Sequence, residues 1–377
     1  MTEPFVLVTG ATGTLGRELM ARMVRRGLPM AITTRAKADE TPAAARARLA
    51  ALLEDTDPGI VLGEAEVAFA DVTQPSLGLA PETLARLESG ERAVQIVHGA
   101  SELRFDQPWD VMEKENVLGT ENVLDLARRF AESGKLARLD YVSTAYVAGD
   151  RRGLCREDEI DVGQGHRNEY ERSKRIAELS VDRARKQGLP VAVHRPSIIV
   201  GDSRSGRAAA FKVLYWPLKL YARGQWKTVF GRADCPMDVV PVDYVADAMM
   251  HLMFDPRAIG RTMHLAAGPQ KQATIGELVA LIERHFKRGK VRYVDPDLYM
   301  KLFRPLVLPL IKIASPGAAE RGRVFLPYLT SNPTFAVDVA KQLLEGTGLS
   351  PPRVADYFAK IMRYAETTDF GRTLAVA

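Results

Sequence analysis

A tyrosine precedes a lysine by four residues in the stretch NEYERSKRIAE, residues 168–178, as Tyr170 and Lys174. The stretch is rich in helix formers, and residues four apart on a helix share a face, so both side chains can act at one site. A free tyrosine has a pKa near ~10, and a neighbouring ammonium stabilises its phenolate. We therefore expect Lys174 to lower the pKa of Tyr170, which then gives a proton to an oxygen that receives a hydride. The alternative is a half-buried ring beside a solvated lysine.

A glycine-rich turn near the N-terminus is a candidate for holding the hydride donor. In LVTGATGTLGRELM, Gly10, Gly13 and Gly16 recur every third residue between an apolar run and a helical pattern. Such a turn lets the backbone approach a pyrophosphate at the helix N-terminus and permits close helix–sheet packing. We assign these glycines to cofactor binding, together with the intervening residues Thr12, Thr14 and Leu15. A plain strand–helix turn is the alternative, since a glycine-rich string alone is weakly specific.

The end of the second apolar run indicates which dinucleotide binds. NAD-specific sites usually carry an acidic residue there for the ribose hydroxyls, whereas this chain has Arg35, with Lys37 close by. A guanidinium matches phosphate oxygens in pairs, so Arg35 favours NADPH over NADH, and Arg17 could assist. The alternative for Arg35 is a solvated basic turn. Asp71 and Val72 end the third run and are predicted to line the adenine pocket.

Six apolar runs alternate with helical patterns over the first 200 residues. The predicted strands are 5–10, 30–35, 66–72, 93–100, 139–147 and 191–200, and the predicted helices are 15–26, 42–53, 81–89, 110–132 and 167–187. This alternation predicts an α/β protein with a Rossmann-type, doubly wound parallel sheet. After residue 200 the rhythm changes, which predicts a smaller, mainly helical substrate-binding lobe. We expect the NADP-binding domain at 1–200 and 236–268, and the lobe at 201–235 and 269–377.

The composition is that of a folded protein with an ordinary core. The chain has 377 residues, of which 46% are hydrophobic, and its two cysteines, Cys155 and Cys235, predict neither a disulfide framework nor a metal site. The net charge of +5 favours phosphorylated or acidic ligands. Lys and Arg are spread along the chain without interleaved aromatics, so we expect no nucleic-acid partner. The absence of a signal-like start and of a spanning apolar window predicts a cytoplasmic protein.

Several motifs in order and at normal spacing resemble the extended short-chain dehydrogenase/reductase superfamily. They are the glycine turn, VHGASELRF, NVLGT (116–120), YVSTAYVAG, YERSK, HRPSIIVG and VVPVDYVA, and they cover roughly residues 5–268. Within the superfamily, the ITTRA segment with its following helix, ADVTQPSLGLAPETL, and SNPTFAVDVAKQLL (331–344) resemble the fatty acyl-CoA reductase and thioester reductase branch. One departure concerns the fourth-strand motif, which commonly has Asn where this chain has Gly99.

The resemblance implies roles for further residues. Lys174 would hydrogen-bond the nicotinamide ribose, and the Thr144 hydroxyl would hold the substrate carbonyl and share the developing oxyanion. Ser143 is the alternative to Thr144. Asn116 is a candidate for a water relay to Lys174, and its alternative is a helix-stabilising amide. The remaining positions assigned to the cofactor are Gly99, Ala100, Pro196, Ser197 and Ile198.

The predicted lobe contains two strongly apolar stretches. Residues 298–316 could line an acyl-chain tunnel, contact the inner face of a membrane or form a buried hairpin, and 211–226 could face the same cleft or pack in the core. Arg204 and Arg207 are candidates for phosphate contacts, with a solvated loop as the alternative. His98 and His194 are interpreted as structural.

Together these features predict an NADPH-dependent reductase that transfers hydride to the carbonyl of an acyl thioester, CoA- or carrier-bound, to give an aldehyde and then an alcohol if a second hydride follows. Two alternatives stay within or near the fold: a hydroxysteroid-like or alcohol dehydrogenase or nucleotide-sugar epimerase/dehydratase, and a non-catalytic binding module. The chain length of the substrate, its carrier and the oligomeric state are left open.

Overall fold

A parallel sheet forms the centre of the molecule. The computed structural model describes residues 3–209, 215–224, 228–295 and 327–371. With strands numbered along the chain, the sheet consists of β1 (Phe5–Thr9), β2 (Met30–Thr34), β3 (Glu66–Phe69), β4 (Val94–His98), β5 (Leu136–Val142), β7 (Val191–Pro196) and β12 (Thr262–Leu265). Each of these strands begins within an apolar or β-branched run, and both faces of β2 and β4 are buried throughout, as parallel sheets require.

The strand order is β12-β7-β5-β4-β1-β2-β3, with every neighbouring pair parallel. The order reverses between β1 and β4, which are adjacent with Thr9 opposite His98. Ligands of open α/β sheets bind outside the carboxyl ends of the strands at such a reversal. The predicted Rossmann-type fold is therefore confirmed, and its expected binding crevice lies beside Gly10.

Eleven α-helices lie with both ends inside the described ranges. They are α1 (Thr14–Arg25), α2 (Pro42–Thr56), α3 (Pro81–Ser89), α4 (Trp109–Met112), α5 (Gly119–Glu132), α6 (Glu169–Lys186), α7 (Tyr215–Ala222), α8 (Val242–Leu252), α9 (Ile275–Phe286), α10 (Asp338–Leu343) and α11 (Val354–Thr367). One apolar layer joins the sheet to α1, α2 and α8. A second layer joins the opposite face to α3, α5 and α6, so the sheet is covered on both sides.

Four predicted elements differ from the structure. The strand expected at 66–72 ends at Phe69, before Asp71 and Val72. The helix expected at 110–132 is interrupted by a π-helical turn, Glu113–Leu118, between α4 and α5. The strand expected at 139–147 ends at Val142, after which Ala145–Ala148 forms a 3₁₀ turn capped by Thr144. The strand expected at 191–200 divides at Ser197, because the backbone leaves the sheet there to pair elsewhere. All four departures lie at the carboxyl edge or beside it.

Short strand pairs build a third apolar cluster beside the sheet. They are β6 (Gly153–Cys155) with β15 (Pro333–Phe335), β8 (Ile198–Val200) with β11 (Val239–Pro241), β9 (Thr228–Phe230) with β14 (Arg292–Val294), and β10 (Pro236–Met237) with β13 (Ala273–Thr274). This cluster also takes side chains from α7, α9 and α11 and from the 3₁₀ turn after β5. The segment 331–344 lies within the predicted lobe (269–377), but its helix α10 packs against β12 and joins the core of the central sheet.

The stretch 298–316 lies outside the described residues, as does part of 211–226. Across the described ranges, helices are too short or too polar to cross a membrane. Groups of three or more His, Cys, Asp or Glu side chains placed to hold a metal are likewise absent from the part of the chain that the structure describes.

Candidate active site

The turn after β1 leaves no room for side chains at two of its glycines. Gly10 has φ +79°, and a Cβ built there would lie 2.4 Å from the backbone of both Gly99 and Ala100. A Cβ on Gly16 would lie 2.0 Å from the Gly10 carbonyl oxygen. Gly13 differs, since its Cβ would meet that same oxygen at 3.4 Å, an ordinary contact. Gly10 and Gly16 are therefore required by packing, whereas Gly13 keeps the surface of the turn open.

The N-terminus of α1 is suited to an anion. Gly13 is its N-cap, no side chain caps the helix, and its first turn contains no acidic residue. The first N–H groups of the helix therefore point outward without an acceptor from a side-chain cap. The Nε of Arg17 donates to the Thr12 carbonyl oxygen at 3.0 Å and fixes the shape of the turn. Thr12, Thr14 and Leu15 lie on this partly exposed turn, and the whole arrangement fits a dinucleotide pyrophosphate.

At the end of β2, Arg35 lies between two carboxylates. Its Nη2 is 3.2 Å from Oδ1 of Asp71, and the same nitrogen donates to the Glu115 carboxylate in the π turn. Burial is the largest single influence on the half-exposed Arg35 and lowers its pKa, but the two carboxylates together outweigh it, so the pKa of Arg35 is raised. Val72, next to Asp71, is buried and packs against Gly119. Glu115 carries no motif signal, and the sequence interpretation missed it.

The fourth-strand motif contacts the glycine turn through its backbone. The Gly99 N–H donates to the Thr9 carbonyl oxygen at 3.1 Å, and the Ala100 N–H donates to the Thr9 hydroxyl at 3.3 Å. A Cβ on Gly99 would lie 3.3 Å from that carbonyl oxygen, a tight but small overlap. His98 bonds Thr9 and Thr120, and burial lowers its pKa to about 3. His98 is therefore neutral and holds the strand end in place, as the sequence interpretation expected.

Tyr170 and Lys174 are both buried on the first turns of α6. The Lys174 ammonium donates to the Tyr141 hydroxyl at 3.0 Å and to the Val142 carbonyl oxygen at 2.9 Å. The expectation that Lys174 lowers the pKa of Tyr170 is wrong for this structure. Burial raises the pKa of Tyr170 to about 12, and a hydrogen bond with Thr144 opposes that rise. Tyr170 is consequently a protonated phenol at neutral pH, the form that donates a proton.

Burial lowers the pKa of Lys174 to about 8, although the charge of Glu178 opposes the change. The folded chain thus releases this proton at a lower pH than the unfolded chain, where the pKa is near ~10.4. Burial of the charged Lys174 ammonium destabilises the folded state below about pH 8. This destabilisation, up to about 3 kcal/mol, is lost as the pH rises toward ~10.4. We expect wild type to gain stability relative to Lys174→Met between pH 7.5 and 10, measured by urea unfolding. Parallel stability curves would contradict this.

Two adjacent hydroxyls after β5 have different partners. The Ser143 hydroxyl donates to the Glu178 carboxylate, which also pairs with Arg195 through two guanidinium nitrogens. The Thr144 hydroxyl accepts from the Tyr146 N–H at 3.2 Å and bonds Tyr170. Ser143 is thus committed to a buried ion pair, whereas Thr144 lies against the phenol.

Asn116 joins three parts of the site from the π turn. Its Oδ1 accepts from the Ser101 hydroxyl at 2.9 Å and from the Glu102 N–H at 2.7 Å. Its Nδ2 donates to the Ser173 hydroxyl at 2.9 Å, next to Lys174 on α6. These bonds hold the loop after β4 against α6. No direct bond from Asn116 to Lys174 is present in the described residues, so the water relay stays a prediction.

The segment after β7 is held by the Asp238 carboxylate. The Ser197 hydroxyl donates to Asp238 at 2.5 Å, and Asp238 also accepts from the N–H groups of Ala267 and Gly268. Burial raises the pKa of this carboxyl. The Pro196 carbonyl oxygen lies 3.5 Å from the Thr144 hydroxyl, and Ile198 begins the departing strand β8. Pro196, Ser197 and Ile198 therefore border the site near Thr144.

Aromatic rings cover the phenol of Tyr170. The Phe105 ring lies 5.3 Å from that of Tyr170 between centroids, and Tyr328 stacks on Phe105 at 5.8 Å. The Tyr328 hydroxyl donates to the buried carboxylate of Glu171 at 2.6 Å. Tyr328 comes from 158 residues beyond Tyr170 (328 − 170) and belongs to no recognised motif, so sequence reasoning did not identify it.

The structure thus brings the predicted residues together in two groups at the carboxyl edge of the sheet. Tyr170, Lys174 and Thr144 meet at the ends of β5 and α6, whereas Arg35 and Asp71 meet at the ends of β2 and β3. The glycine turn lies between them at the end of β1. Arg204 and Arg207 do not join either group. Arg204 lies near Asp202 and Asp243, and Arg207 is 3.7 Å from Asp55.

Residues 8–249 match the model of an NAD-binding family described as male sterility protein. The chain belongs to this family. A solved structure, the terminal R domain from the myxalamid PKS-NRPS biosynthetic pathway, is 27% identical with a TM-score of 0.81, covering 99% of this chain and 93% of that one. Such similarity confirms the predicted resemblance to the reductase branch of the extended short-chain dehydrogenase/reductases.

Two curated relatives are much longer than the matched region. A linear gramicidin synthase protein of Brevibacillus parabrevis is 26% identical over 381 residues, covering 96% of this chain and 7% of that protein. A Drosophila melanogaster protein, provisionally named a fatty acyl-CoA reductase, is 26% identical over 219 residues, covering 48% of this chain and 38% of that protein. The chain therefore corresponds to a small part of the first and to less than half of the second. The family membership establishes a nicotinamide-cofactor fold.

Proposed function

We propose that the protein is an NADPH-dependent reductase that converts an acyl thioester into an aldehyde. The observation that carries the proposal is the contact between the Tyr170 phenol and the Thr144 hydroxyl, with the Lys174 ammonium buried one turn along the same helix. A glycine turn that fits a pyrophosphate lies at the end of the adjacent strands. The Drosophila melanogaster relative, provisionally named as a fatty acyl-CoA reductase, supports the reaction class.

When bound, the nicotinamide supplies the hydride that the carbonyl carbon receives. Gly10, Gly13 and Gly16 would hold its pyrophosphate, and Lys174 would bind its ribose. The Thr144 hydroxyl orients the thioester carbonyl and bonds the oxygen as negative charge develops there. Tyr170, kept protonated by burial, donates its phenolic proton to that oxygen. When the hydroxyl proton of the tetrahedral adduct returns to Tyr170, the adduct expels the thiolate, which takes one proton from solvent, and the aldehyde remains.

The proposal is tested by incubating the purified protein with NADPH and acyl-CoA or acyl-phosphopantetheine thioesters of several chain lengths. We expect NADPH consumption with one equivalent of free thiol released per aldehyde formed. Thiol release without NADPH consumption would instead indicate a hydrolase. If NAD stays tightly bound through purification and no NADPH is consumed, the epimerase alternative would be favoured.

The hydroxyls of Ser143 and Thr144 should have different functions. Thr144→Ala is expected to lower kcat by about 10²–10³-fold, because it removes a group that bonds the developing oxyanion. It should also cost about 1 kcal/mol of stability, because Thr144 caps the 3₁₀ turn. Ser143→Ala is expected to lower the free energy of unfolding by about 1–3 kcal/mol, because it leaves the buried Glu178 carboxylate short of a donor. Steady-state kinetics and urea unfolding measure the two effects. The assignment fails if the effects are exchanged, and Thr144→Ser should restore most of the rate.

Arg35 is expected to set the preference for the phosphorylated dinucleotide. Arg35→Ala should weaken NADPH binding by about 10–100-fold, the loss of one or two charge-assisted hydrogen bonds, and leave NADH binding within about twofold. Quenching of protein fluorescence on titration gives both dissociation constants. Arg26→Ala serves as the matched control, since it removes an exposed arginine that pairs with Glu3 instead. Equal losses for both dinucleotides would assign Arg35 a structural role.

A further inference from the structure

The Arg35 guanidinium contacts two carboxylates, and among the described residues only one of them is also held by a second hydrogen bond. The Asp71 carboxylate, besides contacting Arg35, accepts from the Thr73 N–H at 2.9 Å, which fixes its position. Within the described part of the chain, the Glu115 carboxylate has Arg35 as its only hydrogen-bonding partner. The Glu115 side chain is therefore the one that can swing away from Arg35 without breaking another bond.

The backbone at Glu115 is held in place by hydrogen bonds of the neighbouring residue. Asn116, the next residue of the π turn, is buried and bonded to Ser101, Glu102 and Ser173. Those bonds tie the turn to the loop after β4 and to α6. When the Glu115 carboxylate leaves Arg35, it consequently remains within one side-chain length of the guanidinium.

The local charge is unfavourable for a second anion at Arg35. One guanidinium faces two carboxylates, a net charge of −1 from the three groups (+1 − 2). Both carboxylates contact the same guanidinium nitrogen, Nη2. A 2′-phosphate bound through Nη2 would have to displace Glu115, and one bound through the other nitrogens of Arg35 would add further negative charge beside it. Repulsion between Glu115 and the phosphate acts over a distance shorter than the ~10 Å screening length at 0.1 M salt.

We propose that Glu115 is a specificity-determining residue that competes with the 2′-phosphate of the cofactor for Arg35. The acid weakens binding of nucleotides that carry a 2′-phosphate while holding Arg35 at the end of β2, and it has no such effect on nucleotides without one. The inference rests on the proposed NADPH preference and adds the group that limits it. Removal of the negative charge at Glu115 therefore sharpens discrimination in favour of the phosphate.

The test measures binding of 2′,5′-ADP and 5′-AMP by calorimetry, which isolates the 2′-phosphate from catalysis. Glu115→Gln should tighten 2′,5′-ADP binding by roughly three- to tenfold and leave 5′-AMP unchanged, with the gain shrinking at high salt. Glu113→Gln is the matched control, an exposed acid of the same π turn, and should change neither constant. Glu115→Ala should act in the same direction as Glu115→Gln, and thermal unfolding checks that the variants fold.

The outcomes separate this inference from the proposed function. If wild type binds 2′,5′-ADP no better than 5′-AMP and Glu115→Gln binds it no better either, both the NADPH preference and the inference fail. If wild type prefers 2′,5′-ADP but Glu115→Gln binds it more weakly, Glu115 orients Arg35 for the phosphate, and competition is overturned while the NADPH preference stands. An equal gain for both nucleotides would reduce Glu115 to a general electrostatic effect and overturn the specificity role.

Discussion

Tyr170→Phe lowers kcat for thioester reduction by about 10²–10⁴-fold, the usual contribution of a positioned general acid, and changes KM little. The substitution removes one oxygen and keeps the ring that packs on Phe105. Since burial keeps the phenol protonated, with a pKa of about 12, the lost group is a proton donor rather than a phenolate. Stopped-flow measurement of a single turnover with saturating NADPH reports the chemical step directly.

The matched control is Tyr244→Phe, which removes the same atom from a buried tyrosine on α8. It should retain the wild-type rate within about twofold, because it touches none of the groups placed at the carbonyl. If Tyr170→Phe keeps more than about a tenth of the wild-type rate, the proton comes from another group. Thr144 would then be the residue to examine.

Gly10→Ala is expected to lower the free energy of unfolding by about 2–5 kcal/mol and to abolish measurable cofactor binding. The added Cβ would lie 2.4 Å from two backbone atoms of the neighbouring strand end, and the residue has φ +79°, which disfavours any side chain. The turn must therefore move away from the end of β4. Urea unfolding and fluorescence titration with NADPH measure the two consequences.

Gly13→Ala provides the contrast within the same turn. Its Cβ has ordinary van der Waals contact at 3.4 Å, and φ is −73°, so the free energy of unfolding should change by less than about 1 kcal/mol. Cofactor binding should still weaken by at least about tenfold, because the methyl group projects where the pyrophosphate approaches. Unchanged binding by Gly13→Ala would place the pyrophosphate somewhere other than this turn.

The parts of the fold that the sequence predicted are those governed by local patterns. Apolar runs such as 5–10 and 93–100 must be buried on both faces, and the helices between them require a parallel sheet. The glycine turn is similarly local, since its sharp bend and close approach to β4 admit no other residue at Gly10. These features could be identified before any tertiary contact was known.

The interpretations that failed depend on contacts between distant segments. The raised pKa of Tyr170 follows from burial, to which Phe105 contributes across 65 residues of sequence (170 − 105). The pairing of Arg35 with Glu115 joins positions 80 residues apart through ordinary surface residue types. Neither the π turn that carries Glu115 nor the break at Ser197 has a propensity signature, because each is stabilised by side-chain bonds to other elements.

The most direct test of the proposed reaction follows the hydride itself. The protein is incubated with an acyl-CoA or acyl-phosphopantetheine thioester and NADPH carrying deuterium at the transferable position of nicotinamide C4. The aldehyde is trapped with hydroxylamine and analysed by mass spectrometry. We predict one deuterium on the former carbonyl carbon of each aldehyde, at a rate that falls in Tyr170→Phe and Thr144→Ala. The proposal would be contradicted if the aldehyde contains no deuterium with NADPH labelled on either face of C4. It would also be contradicted if no thioester gives a product while an alcohol or a sugar nucleotide is turned over.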